Sequence, residues 1–381
     1  MLRRLLRHLQ HIVTALVLLA VSLVGLELWL QWMRPVAPPV IASQADSASQ
    51  AWLIPSATVH HRMRPLAEFS CANDSVVIRT NSLGLRGPEP AGSRTADSWR
   101  VVLLGDDCVS GTWLEEEFTL SARLKAYLRK HIPENVEVIN AGVPGYSPLL
   151  SLIQYSHDLM RLEPDLVILH FDMSDVADDA DHRCFLHDEG SQPICLHPLL
   201  ASSIDPQHPA LSLLRNSAVV DLVRRQLLND SGTDFQSRYA WTQQTHENVE
   251  GRIRHAMDSV AKLVQQTRMA GQPLLLTTAP VRGQVVAGDG DQSLSRDSGL
   301  TDVPRPADDF PFRVLFAWSS EAGIPFLNVT HAFRQFESPE RLFQSGTERL
   351  SKYGMALYAR ELARKILRMP AMAQAEGNRR E

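Results

Sequence analysis

The stretch Arg100-Val-Val-Leu-Leu-Gly105-Asp106-Asp107-Cys108-Val-Ser-Gly111 constrains this chain most. Its apolar run reads as a strand buried on both faces, the Gly-Asp-Asp that follows as a sharp turn, and the residues after that as the entry to an amphipathic helix. In an open α/β sheet the carboxyl end of such a strand is where ligands and reacting groups collect.

From Trp99 onward strand and helix patterns alternate, which predicts a parallel sheet with crossover helices. The expected strands are 101–105, 136–140, 165–171, 273–278 and 325–329. From Leu166 to Phe171 the third is apolar except for His170. Helices are expected at 149–161, 211–228, 249–264, 312–322 and 351–368, from apolar residues recurring at helical spacing. Residues 281–309, rich in Gly, Asp, Ser and Pro, read as a surface loop, and the acidic run from Asp172 to Asp181 as a solvated one. Val76 to Thr80 reads as a strand before a turn at Asn81-Ser-Leu-Gly84.

The N-terminus stands apart. Arg3, Arg4 and Arg7 precede an apolar run from Ile12 to Leu30. As a helix, 12–33 spans about 33 Å, enough to cross a bilayer core. The arginines favour the cytoplasmic side, placing the rest of the chain across the membrane with Trp29 and Trp32 at the far interface. A cleaved signal peptide is the competing reading; the run Val36-Ala-Pro-Pro-Val, with no small-x-small cut site close by, favours the anchor. The implied organisation is a cytoplasmic tip and signal-anchor over 1–34, a stalk and lead-in segment over 35–98, a main domain over 99–369 and a polar tail over 370–381. The expected location is the cell membrane, single-pass, with the main domain outside the cytoplasm.

A net charge of −5 and the absence of a basic stripe interleaved with aromatics exclude nucleic acid as a partner. Of the four cysteines, Cys184 and Cys195 flank a hairpin-like stretch with a Glu-Gly turn, open to a disulfide, free thiols or metal binding. His182, His187 and His197 lie near them, but their spacing matches no standard zinc pattern. No metal and no cofactor are expected.

Four stretches in order give the chain a family resemblance: Gly105-Asp106-Asp107-Cys108-Val-Ser-Gly111, Asn140-Ala-Gly142-Val-Pro-Gly145-Tyr146, Pro164 through Ser174-Asp175, and Thr347-Glu-Arg349-Leu-Ser-Lys-Tyr-Gly354. Over 99–369 the chain resembles the SGNH (GDSL-type) hydrolase superfamily, and the lead-in Asn81 to Gly87 resembles the segment preceding its membrane-anchored, exported members. The resemblance implies a three-layer α/β/α sandwich with a flavodoxin-like sheet of about five strands in the order 2-1-3-4-5. In that family a serine attacks an acyl carbon, a histidine oriented by an aspartate takes its proton, and a glycine N–H and an asparagine amide help hold the oxyanion. The matching positions here are Asp107 for the serine, Gly142 for the glycine, Ser174 for the asparagine, Thr347 for the aspartate and Arg349 for the histidine. Loss of a whole triad costs about a million-fold in turnover, and a carboxylate at Asp107 sets negative charge where an oxyanion must form. The expectation is therefore a catalytically degenerate, anchored protein that binds a carbohydrate, acyl-carbohydrate or envelope-protein partner. The alternative is an active esterase or O-acetyl-transfer enzyme with a rearranged site. Asp107 and Arg349 are expected within reach of a charge-assisted pair.

Overall fold

The computed structural model describes residues 52–71, 76–92, 98–132, 135–187, 192–198, 249–286 and 309–369, with a few isolated residues besides. The expected anchor, most of the expected stalk, the helix expected at 211–228, most of the loop expected at 281–309 and the expected polar tail lie outside the described residues. Among the described residues, no helix is long and apolar enough to cross a membrane.

In chain order the strands are β1 Leu53–Pro55, β2 His61–Met63, β3 Glu68–Cys71, β4 Val76–Arg79, β5 Ser98–Leu104, β6 Asn135–Asn140, β7 Leu166–His170, β8 Leu186–His187, β9 Ile194–Cys195, β10 Leu274–Thr278 and β11 Phe326–Asn328. The helices are α1 Asp107–Ser110, α2 Leu120–Leu128, α3 Pro148–Gln154, α4 Asp175–Arg183, α5 Val249–Met269, α6 Phe310–Glu321, α7 Thr330–Arg334 and α8 Lys352–Leu367. Five strands form one sheet, β11-β10-β7-β5-β6, every neighbouring pair parallel. Counted along the chain, that is the order 2-1-3-4-5 that the resemblance implied.

Successive strand residues point to opposite faces, and both faces are covered. Val101 and Leu103 of β5 pack with Leu120 and Leu124 of α2 and Met355, Leu362 and Ile366 of α8. Val102 and Leu104 pack the other way, with Met257 and Val260 of α5 and Leu315 of α6. Three layers follow directly from this period-2 split. A third apolar cluster joins the lead-in to the domain: Trp52, Val59 and Met63 against Val143, Tyr146, Leu149 and Ile153.

Two local expectations are corrected and one left open is narrowed. The helix expected over 149–161 is α-helical only to Gln154; a π-turn over Tyr155–Leu159 and a 3₁₀ turn over Met160–Leu162 follow. The Ser156 hydroxyl donates to Leu152 O at 2.7 Å, competing with the helical ladder. The acidic run is not a solvated loop but the helix α4, with Asp175, Asp178 and Asp179 buried. Backbone donors make that burial tolerable: Asp179 accepts from Leu149 N at 3.0 Å and Asp175 from Asp172 N at 2.8 Å. The cysteine hairpin exists as β8–β9, but its register sets Cys195 opposite Leu186 rather than Cys184, and all four cysteines are thiols.

Candidate functional site

The turn after β5 is held by close backbone packing. Gly105 has φ +151°, and a Cβ there would sit 2.7 Å from Val109 Cγ2 and 3.1 Å from His170 Cβ. Asp106 then caps α1, its carboxylate accepting from Cys108 N at 3.2 Å. Asp107 opens the helix, half-buried at the carboxyl end of β5.

The glycine block meets this elbow edge on. A Cβ at Gly142 would lie 2.4 Å from Ser110 N and 2.6 Å from Val109 Cβ, so only glycine permits the approach. Asn140 stitches the two together, donating through Nδ2 to Val109 O at 2.9 Å and accepting from Gly142 N at 3.1 Å. The N–H at the position resembling an oxyanion donor is thus directed at the Asn140 carboxamide. From below, the buried Arg86 guanidinium of the lead-in donates to the carbonyls of Ser110, Gly111 and Leu114. It occupies the carboxyl end of α1, where a cation is favoured. Burial, the largest effect, lowers its pKa to about 10 against the raising charges of Glu116 and Cys71.

Ser174 stands immediately before α4 and is buried; its N–H donates to Asp172 Oδ1 at 3.0 Å. Thr347 and Arg349 share a tight turn, Arg349 N donating to Thr347 Oγ1 at 3.2 Å. The Arg349 guanidinium lies over the Trp113 ring, 5.1 Å from its centroid, while Trp113 Nε1 donates to Leu350 O at 2.9 Å. Both blocks therefore reach the edge bearing α1. An Asp107–Arg349 pair is not among the ion pairs formed between described residues.

Carboxyls crowd this edge. Burial, then the charges of Asp172, Asp107 and Asp178, raise the Asp106 carboxyl well above the usual range. Burial and the charges of Asp106, Asp172 and Asp178 do the same to Asp175. Asp172 moves the other way: burial alone would raise it, but His170 and the Ser174 N–H and hydroxyl outweigh that and hold it below the usual range. Glu348 is raised by burial.

Several residues that shape the site were given no role from sequence. His170, at the end of β7, is buried; its Nδ1 bonds the Tyr358 hydroxyl at 2.8 Å, and that hydroxyl meets Thr277 Oγ1 at 3.0 Å. Its Nε2 sits 3.6 Å from Asp172 Oδ2, too far for a direct hydrogen bond. The signal was present, since His170 is the one polar residue inside an apolar strand. Arg86 and Asn140 lie within stretches that carry the resemblance, but their own roles, like that of Trp113, left no signal because they depend on contacts far away in sequence. The two nucleophile types beside Asp107 are inert. The Ser110 hydroxyl donates to Asp107 O at 3.0 Å, and the Cys108 thiol is pushed well up by burial and the charges of Asp172, Asp106 and Asp107.

No family profile matches the chain, and no curated protein matches it. Solved structures do. A lipase/acylhydrolase from Enterococcus faecalis is similar at 14% identity and TM-score 0.37, covering 70% of this chain and 95% of its own. A catalytic mutant of an acetylxylan esterase from Geobacillus stearothermophilus is similar at 13% identity and TM-score 0.40, covering 73% and 96%. A two-domain esterase active on acetylated mannans is similar at 13% identity and TM-score 0.37, covering 71% of this chain and 49% of its own. Likeness this distant carries no statement about substrate or activity.

Proposed function

We propose that the chain is a membrane-anchored, extracytoplasmic binding protein built on an esterase-like α/β/α scaffold, with no hydrolytic turnover of its own. The observation that carries this reading is the side chain at Arg349. Where a general base would have to stand, a guanidinium lies over Trp113, and arginine does not give up its proton at any working pH. The carboxylate at Asp107 is a poor nucleophile toward an ester and opposes a developing oxyanion on the same carbon. Ser110 and Cys108, buried and held as hydroxyl and thiol, supply no substitute.

The ligand class that fits is a neutral saccharide or its acyl ester. Asp107 and Asp172 stand half-buried at one edge, Asp172 held below the usual carboxylate range, and a uronate or phosphate would meet like charge there. Sugar hydroxyls, by contrast, can donate to carboxylate oxygens.

The test is acetate release from an activated aryl ester by the full chain, beside a variant carrying Asp107→Ser, Thr347→Asp and Arg349→His. The natural protein is expected to stay at the uncatalysed rate while the triple variant gains turnover. Ordinary esterase turnover by the natural protein, abolished by Asp107→Ala, overturns the reading in favour of an active esterase or O-acetyl-transfer enzyme.

A further inference from the structure

A second cluster of titratable side chains lies away from the strand-end carboxyls, where the lead-in meets the domain. His60 and His61 sit at the start of β2, and His182 sits in the last turn of α4. One potential ligand atom from each of the three falls within 4.8 Å of the others. His60 and His61 are buried, and the His197 ring flanks His60 with centroids 4.7 Å apart. We propose that His60, His61 and His182 hold a divalent transition-metal ion of the zinc class, which clasps the lead-in segment to the rim of the domain.

The hydrogen bonds around the cluster orient it as a ligand set. His61 Nε2 lies 2.9 Å from Pro144 O. A carbonyl only accepts, so the proton is on Nε2 and the Nδ1 lone pair faces inward, 2.8 Å from His60 Nδ1. His182 Nδ1 is 3.2 Å from the Ser147 hydroxyl. Such partners on the outer nitrogen set the tautomer and ring angle of metal-ligating histidines. Without a metal, the inner contact is closed by His60 Nδ1–H donating to His61 Nδ1. Metal binding requires His60 to move that proton to its other ring nitrogen, a neutral tautomer change that releases no proton overall.

Local backbone supports the same purpose. His60 has φ 55°, a left-handed conformation uncommon outside glycine, held by its N–H donating to Cys195 O at 2.5 Å. That twist lets adjacent residues turn both imidazoles toward His182; in a regular strand they would point to opposite faces. Tetrahedral zinc, with bonds of about 2.0–2.1 Å to nitrogen, sets its ligand atoms about 3.3 Å apart, so small side-chain rotations close the site. All three donors are neutral nitrogens, which suits zinc, cobalt, nickel or copper and excludes the oxygen-seeking magnesium and calcium. Burial, followed by the neighbouring imidazoles, lowers the pKa of His60; burial is also the largest effect on His61, which falls to about 4. The expectation of no metal weighed His182 with His187 and His197; the missing ligands were His60 and His61, far upstream.

The clasp does not depend on whether the strand-end site hydrolyses anything. It is tested on the full chain, stripped with chelator and dialysed against zinc, with bound metal counted by elemental analysis. Wild type is expected to retain one more zinc per chain than His182→Gln, a change at a half-buried helix end. Cobalt substitution is expected to give the visible bands of a tetrahedral nitrogen site. Ser147→Ala should weaken retention about tenfold, and His331→Gln, at an exposed position of α7, should leave it unchanged. Zinc should raise the melting temperature of wild type and not that of His182→Gln. Equal zinc retention and equal thermal shift in wild type and His182→Gln overturn the proposal, as does displacement of the zinc by equimolar magnesium.

Discussion

Two buried clusters of ionisable groups, one acidic and one basic, sit on the same domain and answer burial differently. At the ends of β5 and β7, Asp106 and Asp175 are raised by burial and by the charges of neighbouring aspartates, Asp172 and Asp178 among them. At the lead-in corner, His60, His61 and His197 are lowered, with burial again the largest cause. Each cluster is pushed toward its neutral form. For histidine, ordinarily near 6.5, that form already dominates at neutral pH; for aspartate, ordinarily near 3.9, it does not. The histidine corner is therefore at ease at neutral pH, whereas the acidic edge stores repulsion that a bound group could relieve. This is the physical reason to seek the metal at the corner and a hydroxyl-rich ligand at the edge.

The largest effect that would sharpen this contrast is on the frame of the acidic edge. Gly142→Ala drives a Cβ into the α1 backbone and is expected to cost about 4 kcal/mol, the upper end of overpacking. Urea denaturation reads it; an unchanged midpoint would show that the elbow and the glycine block do not touch.

Next is acid sensitivity, where the clusters pull in opposite directions. His61 has a folded pKa depressed to about 4 from 6.5. Between those values the unfolded chain binds more protons, so the stability His61 contributes is complete above 6.5 and is lost as pH falls toward 4. The 2.5-unit difference corresponds to on the order of 3 kcal/mol. His61→Gln, measured metal-free, should gain on wild type by that order as pH drops through the window. A constant difference between the two proteins across pH 4 to 6.5 breaks the comparison.

Asp175 runs the other way. Its folded pKa is raised, so its contribution is full at low pH and is lost as pH rises through the folded value. Asp175→Asn keeps the oxygen that accepts from Asp172 N and removes one of the crowded charges. At pH 8 it should stabilise the fold by about 1–2 kcal/mol, an advantage that shrinks on acidification. A lower denaturation midpoint at pH 8 would mean the hydrogen bond outweighs the repulsion.

The smallest effect concerns Arg349. Its contact with Trp113 is a half-buried cation–π pair, worth about 0.5–1 kcal/mol. Arg349→Gln should lower stability by no more than that and leave zinc retention unchanged, whereas a loss of several kcal/mol would mark Arg349 as part of the buried electrostatic frame.

Much of the fold was legible in the chain because its signals are local. The continuous apolar run Val101 to Leu104 and the 3.6-residue period of α8 announce themselves, so all five sheet strands were accessible, while their order followed from the family resemblance. Boundaries shifted where side chains compete with backbone, as Ser156 does beyond α3. The acidic run 172–181 misled because carboxylates usually mean solvent, and only tertiary contacts supply the backbone donors that let Asp179 be buried.

What the sequence determined by itself was the scaffold and, through the family resemblance alone, an expectation that Asp107, Ser174, Thr347 and Arg349 fill positions where proton-transfer chemistry would need other residues. What only the tertiary structure decided was company. The Gly142 N–H is turned to Asn140, Arg86 is brought beneath α1, and His60 and His61 are set against His182. Those pairings join residues from distant parts of the chain, and the packing that makes them leaves no periodic trace along it.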